Sequence, residues 1–355
     1  MAKILIKNGL VWNGEEFFYS DVMTDGPIVT QIAPNICDAV NYVYDAQGKI
    51  VSAGLVDVHT HLRGVSCDRF GIQAEMCCFT FGVTAAADAA GGKGDKQLLD
   101  SFALKTFVFV GVNIRNNRVD FEEAERFVSL YGDRTVGIKT YFDSNAAQIS
   151  DISPLADICN FASSKKMPVM VHCTNSPIAM GEILKALNKG DILTHAFNGS
   201  ENNAECDNFE SMKNAQQRGV IIDVGFAGNV HADFGILRHA IENGVIPDLI
   251  GTDITRLSAF VRGGRYGMTM CMSIAKHLGM SEIDIFKAVT SNPAKALGKE
   301  GELGCLKVGG KADIAVIGEC AEPFDLTDKN GNRVQSDEGY RCFLTVSDGQ
   351  IVYRY

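Results

Sequence analysis

Eight short apolar runs, each closed by a polar residue and followed by a stretch of helical periodicity, divide the middle of this chain, and that alternation limits the fold more than any other feature. The runs are Gly54 to Val58, Gly82 to Ala87, Thr106 to Val112, Thr135 to Thr140, Pro168 to Val171, Asp191 to Thr194, Gly219 to Val224 and Asp248 to Gly251. Continuous apolar runs of this length suit strands buried on both faces of a parallel sheet. The segments between them, such as Phe121 to Leu130, Leu155 to Ser164, Ile178 to Leu187 and Asp233 to Glu242, carry apolar residues at helical spacing. Eight such alternations predict an α/β chain closed as a (β/α)8 TIM barrel. An open doubly wound sheet has the same periodicity, and what separates the two is where the polar residues fall, because a barrel collects its chemistry at the C-terminal ends of its strands.

Both chain ends read differently. Lys3 to Lys7, Glu16 to Val22, Ile28 to Ile32 and Tyr42 to Tyr44 are short strand-like segments separated by Asn-Gly and Asp-Gly turns. Ala312 to Ile317, Tyr340 to Val346 and Ile351 to Tyr355 are similar, around the turn Ser347-Asp348-Gly349. Residues 1-52 and 303-355 are therefore expected to pair into one small β-sandwich domain built from both termini, with 53-302 as the barrel.

A formal charge of −10 and the lack of any basic run argue against nucleic-acid binding. No stretch approaches the roughly 20 apolar residues of a membrane span. The eleven cysteines are scattered without a Cys-x-x-Cys pair, and the opening segment has no signal-peptide core, so reduced thiols and a cytoplasmic location are expected. The expected partner is a small-molecule substrate, and a homo-oligomer is compatible with this reading.

His59-Thr-His61 directly follows the first apolar run, so two imidazoles leave one strand end on the same side. His172 and His195 each close a later run, and Asp253 follows the last. A His-x-His pair alone can be two surface residues. Four of the seven histidines at strand ends, with a carboxylate, would converge on one barrel mouth and suit zinc or a similar borderline metal. Lys139 ends the fourth run. From residue chemistry alone it reads as a solvated lysine, because an ammonium has no lone pair to offer a cation; carboxylation by CO2 would turn it into an anionic ligand.

This ordered set, with Ile6-Lys7-Asn8-Gly9 at one end and Gly309-Gly310-Lys311-Ala312-Asp313-Ile314 at the other, resembles the amidohydrolase superfamily over nearly the whole chain. The subtype is the one with a carboxylated lysine bridging two metals. The resemblance implies two divalent metal ions, zinc by expectation, with His59 and His61 on one, His172 and His195 on the other, Lys139 shared, and Asp253 both on the first metal and acting as catalytic proton shuttle. His59-Thr-His61-Leu-Arg63 is similar to the first motif of dihydroorotases and hydantoinases, where the arginine position contacts a substrate carboxylate, but Gly64-Val65-Ser66 replaces the usual proline-glycine. Thr194 to Gly199, Asp223 to Gly228 and Gly251 to Asp253 look more like the dihydroorotase-like branch, some members of which cleave N-acyl amino acids or acyl esters. Hydrolysis of a C–N amide or acyl ester bond in a small carboxylate-bearing substrate is the expected function, with Arg63 and Asn198 as substrate-binding candidates. For Arg63 the alternative is an ion pair with a structural acid such as Asp68, and for Asn198 it is a plain Asn-Gly turn after the strand. Competing functions are an aminopurine (adenine-type) deaminase and a non-catalytic scaffold subunit.

Weaker readings concern single residues. His231, beyond the seventh run, either faces the mouth or is a water-exposed histidine at a helix start, the second being the expectation, and His239 and His277 read as structural. Arg256, Arg262 and Arg265 are either substrate anchors or surface charge. Gly91-Gly92-Lys93-Gly94-Asp95 lacks the ending of a phosphate loop and reads as a loop over the mouth, and Met268 to Met272 as helix packing.

Overall fold

A computed structural model describes residues 2–66, 70–92, 94–228, 230–261 and 266–355. Seven strands form one parallel sheet in sequence order: Leu55–Thr60, Val83–Gly91, Lys105–Gly111, Thr135–Tyr141, Val169–His172, Ile192–Thr194 and Ile221–Ile222. The barrel closes through a segment that is not a regular strand. It bridges Asp223 with Leu249 on one side and Thr60 with Ile254 on the other, and Asp253 N donates to His59 O at 2.7 Å. The expected run Gly219 to Val224 is thus regular over only two residues, and Asp248 to Gly251 over none. Side chains explain the departure, because they take backbone donors that a ladder would use. Gly251 N donates to Asp223 Oδ1 (2.7 Å) and Thr252 N to Asp57 Oδ1 (3.2 Å), which frees the chain to turn inward.

The covering helices follow the apolar periodicity. Asp120 caps Phe121–Tyr131, which buries Ala124, Phe127 and Tyr131, and Asp233 caps Phe234–Glu242 by accepting from Ile236 N at 2.9 Å. Helix Met268–His277 buries Met268, Cys271 and Met272 against the barrel, so these residues are packing. In the glycine-rich loop Asp95 caps helix Lys96–Ser101; Lys93 lies outside the described residues. No helix of the described residues is long and apolar enough to cross a membrane, and every described cysteine is free.

The two chain ends do pair. Ile314–Cys320 runs antiparallel to Ile50–Ala53, which continues through Lys3–Trp12 to Phe17–Asp25 and Ile28–Ala33, while Gly339–Ser347 and Gln350–Arg354 extend the other edge. Ile4, Ile6, Val11, Val51, Val316, Leu344 and Val346 fill a core belonging to this strand-rich terminal domain. Trp12 fastens it to the barrel. Fully buried, its indole packs on Phe17 (4.6 Å between centroids) and donates from Nε1 to Thr290 Oγ1 at 3.0 Å, between two barrel helices. Trp12→Ala should cost about 3–5 kcal/mol through the cavity left behind, read as a lower urea midpoint.

Candidate metal centre

All six residues expected to act as ligands, His59, His61, Lys139, His172, His195 and Asp253, line one cavity of about 530 Å³ at the C-terminal mouth of the barrel. His61 Nε2 lies 2.9 Å from Asp253 Oδ1, and His59 Nε2 3.5 Å from the same oxygen. Lys139 Nζ is 3.5 Å from His59 Nε2, and His195 Nε2 is 3.8 Å from Asp253 Oδ2. His195 and Asp253 both have positive φ, 57° and 48°, where the chain swings off the strand ends into the mouth.

Behind these residues stands a second set that orients them. His59 Nδ1 faces Asp223 Oδ2 (3.2 Å) and Thr194 Oγ1 (2.9 Å). His61 Nδ1 meets Ser66 Oγ at 3.0 Å, and that hydroxyl donates to Asp88 Oδ2 at 2.8 Å. His172 Nε2 faces Asp143 Oδ2 (3.2 Å) and Thr174 Oγ1 (2.6 Å), while His195 Nδ1 donates to Gly225 O at 2.7 Å. A Cβ on Gly225 would sit 2.6 Å from His195 Nδ1, so only glycine permits that approach. Each outer nitrogen thus has an oxygen partner, which directs the lone pair of the other nitrogen toward the cavity.

Electrostatics agree with that arrangement. Burial holds His59 down at about 4 and lowers His172 and His195, so these rings are neutral and can act as ligands at neutral pH. For His61 burial works in the same direction, but Asp253 outweighs it and the ring is raised. Asp253 is opposed by burial yet held well below the usual carboxylate range by His59 and His61. Lys139, fully buried, is pulled down to about 8. Asp253 Oδ1 is itself buried without a hydrogen bond. It and the inward nitrogens of His59 and His61 lie within 4.8 Å of one another, as do ligand atoms of His172, His195 and His231. A buried carboxylate oxygen with two imidazole nitrogens 2.9 and 3.5 Å away is a donor set for a cation, and the residues fit two divalent ions.

Asp223→Asn removes the anionic partner of His59 at constant shape. It should weaken metal binding about 10–100-fold, measured by competition with a metallochromic chelator.

Several residues fall differently from expectation. Of the two places open to His231, the structure takes the mouth rather than water: it lines the cavity with its ring centroid 4.3 Å from His195 and Nε2 3.9 Å from Asp253 Oδ2. The loop after the seventh strand folds over the mouth, which local spacing does not encode. Arg63 is exposed and not among the cavity-lining residues, because the chain turns at Gly64 (φ 90°) and Ser66, two positions later, faces His61 instead. Its alternative partner Asp68 lies outside the described residues. Asn198 does not line the cavity either. Fully buried, it donates to His195 O at 2.9 Å and accepts from Ser200 N at 3.1 Å, which locks the loop behind His195. Arg256 is exposed, while Arg262 and Arg265 lie outside the described residues. His239 pairs with Glu205 on the surface at 2.6 Å, and His277 is exposed beside Phe324. Asp223, Asp88 and Asp143 were not singled out. Asp223 had a signal, since it ends Ile221-Ile222-Asp223 as His172 and His195 end their runs.

Imidazoles and an ionised carboxylate converging at the C-terminal mouth of a (β/α)8 barrel define a metal-dependent hydrolase. The chain belongs to the amidohydrolase family, whose profile matches residues 50–351, and is a hydrolase acting on C–N bonds. It is 28% identical to a deacetylase of Enterococcus faecalis over 98% of both chains. Among solved structures it resembles an adenine deaminase (TM-score 0.86, 25% identity, all of both chains) and a dihydroorotase (TM-score 0.85, 22% identity, 99% of both chains). The last likeness is one of fold.

Proposed function

We propose that this protein is a binuclear, zinc-dependent hydrolase that removes a short acyl group from the nitrogen of an amino acid, or from the oxygen of a matching hydroxy acid. The observation that carries the reading is the convergence of six potential ligands on one cavity with every outer imidazole nitrogen already engaged. The end-to-end similarity to a deacetylase supports the acyl group as the fragment removed.

His59, His61 and Asp253 would hold one ion and His172 and His195 the other, with Lys139 between them. When bound, two such ions polarise the scissile carbonyl and lower the pKa of water. Lys139 contributes as a carbamate. Burial holds it near 8, so a useful fraction of neutral amine is present to attack CO2, forming the N–C bond and releasing one proton to solvent. Asp253 then takes the proton of the attacking water on a carboxylate oxygen and passes it to the leaving nitrogen or oxygen. Phe70, Val230 and Leu257 give the cavity apolar walls for the remainder of the substrate.

The test is a hydrolysis screen on metal-loaded protein with N-acetyl D- and L-amino acids, acylated hydroxy acids, cyclic ureides and aminopurines. Turnover of the N-acyl or O-acyl compounds is expected. Ammonia release from adenine with no acyl turnover would replace this reading by deamination, which the likeness to an adenine deaminase keeps as the second arm.

A further inference from the structure

The six ligands of the proposed centre leave its halves unequal. His59, His61 and Asp253 form a group of three, whereas His172 and His195 are a pair with only the shared Lys139 beside them. His231 stands where a third donor of the second half would stand. Ligand atoms of His172, His195 and His231 lie within 4.8 Å of one another, as those of His59, His61 and Asp253 do. Ring centroids are 4.4 Å apart for His172 and His195, 4.3 Å for His195 and His231, and 5.2 Å for His172 and His231. The rings stand at 72°, 48° and 86° to one another, so they surround one space and do not stack. Nitrogens bound to one tetrahedral zinc lie about 3.4 Å apart, a spacing that small rotations of these rings can reach. Asp253 divides the two groups. Its Oδ1 faces His61 Nε2 (2.9 Å) and His59 Nε2 (3.5 Å), while its Oδ2 faces His195 Nε2 (3.8 Å) and His231 Nε2 (3.9 Å).

The loop that carries His231 is pinned at both ends to the segments that carry the other ligands. Ahead of it, Phe226 N donates to Gly251 O at 3.1 Å and Ala227 N to Thr252 O at 3.0 Å, next to Asp253. Behind it, Asp233 N donates to Phe197 O at 2.9 Å, two residues past His195. The hairpin of Phe324–Thr327 and Arg333–Ser336 clamps the same segment, with Asn330 Nδ2 donating to Asp233 Oδ2 at 2.6 Å, Asn332 Nδ2 to Asp233 Oδ1 at 3.0 Å and Phe234 N to Asp328 Oδ2 at 2.8 Å. Asp233 and Asp328 are both buried, so the clamp is fixed. An imidazole ligand is usually oriented by an oxygen on its outer nitrogen. For His231, backbone anchoring on both sides sets where the ring enters the mouth.

We infer that His231 is the third imidazole ligand of the second ion, so that each ion has three donors of its own and Lys139 is shared. This rests on the two-metal part of the proposed function and adds a ligand to it. Neutral imidazoles bring no charge to a divalent ion, so an anionic Lys139 keeps its place between the halves. Three imidazoles on one ion suit zinc or a similar borderline metal and disfavour magnesium and calcium, which take oxygen ligands.

The test loads the full chain, labelled with ¹⁵N-histidine, with ¹¹³Cd and counts the imidazoles whose nitrogen couples to the metal. The chain has seven histidines, and His239 and His277 do not line the cavity, so five coupled rings must include His231. Five are expected in the wild type and four in His231→Gln. In a cobalt titration His231→Gln should bind the second equivalent at least about tenfold more weakly, since loss of even a supporting contact weakens metal sites by that factor, while the first equivalent is unchanged. Four coupled rings in the wild type, with His231 uncoupled, overturn the proposal without any variant having to fold, and so does a His231→Gln protein that keeps the wild-type affinity for both ions. Acyl turnover with four coupled rings keeps the proposed function and removes the fifth imidazole. Five coupled rings without acyl turnover do the reverse, and uptake of a single ion by the wild type overturns both.

Discussion

Asp253→Asn is expected to lower kcat/KM by about 10²–10⁴-fold, the range for removing a positioned acid-base group, while most of the metal stays bound. Asparagine is the right replacement because Asp253 sits at φ 48°, a left-handed conformation that asparagine tolerates and most side chains do not. It keeps the shape and leaves His59, His61 and Lys139 as ligands, but its amide cannot accept and return a proton. Asp253 is held ionised against burial by the neighbouring imidazoles, with His61 Nε2 2.9 Å from Oδ1, so its carboxylate starts without a proton. Rate and metal content are measured on the same preparation. Parallel loss of both would reduce Asp253 to a ligand only.

Lys139→Met should be as damaging, by a different route. Methionine fills a similar buried volume without a polar head, so the fully buried site can repack while losing any anionic group between the two halves of the centre. Metal content should fall from about two ions per chain to about one or fewer, and activity by about 10³-fold. Wild-type protein equilibrated with ¹³C-labelled bicarbonate should give a carbamate resonance that Lys139→Met lacks. Intact metal binding and no carbamate signal in the wild type would remove carboxylation from the mechanism.

The contrast between His231 and Asn198 illustrates how far local pattern carries. Both lie in loops after barrel strands, and pattern leaves each two directions: Asn198 toward substrate or in a plain turn, His231 toward the mouth or into water. The structure chooses between them, with His231 at the cavity and Asn198 off it, because the direction of a loop side chain depends on contacts far away in the chain. Asn198 is used up bonding its own loop, whereas His231 is carried over the mouth by a segment pinned to Asn330 and Asn332, about a hundred residues later. Arg63 shows the same limit at closer range. Period-two alternation places His59 and His61 together, but the strand ends at Thr60 and the turn at Gly64 breaks the rule two residues further on.

What the amino-acid order determined by itself was the alternation of buried strand and covering helix, the strand-rich character of the two ends, and the placing of His59, His61, Lys139, His172 and His195 at or beside strand ends. Those features are local, since apolar periodicity and strand termination depend on neighbours a few residues apart. Tertiary structure alone decided closure and chemistry. Asp223 and Asp57 replace ladder partners so that the irregular eighth segment can seal the barrel. The tautomers of His59 and His61 are set by Asp223 and by Ser66 with Asp88, and a hairpin from the far end of the chain clamps the loop carrying His231. Each of these depends on a hydrogen bond or field between groups that only folding brings within a few ångströms, and such a short-range force leaves no periodic mark in the sequence.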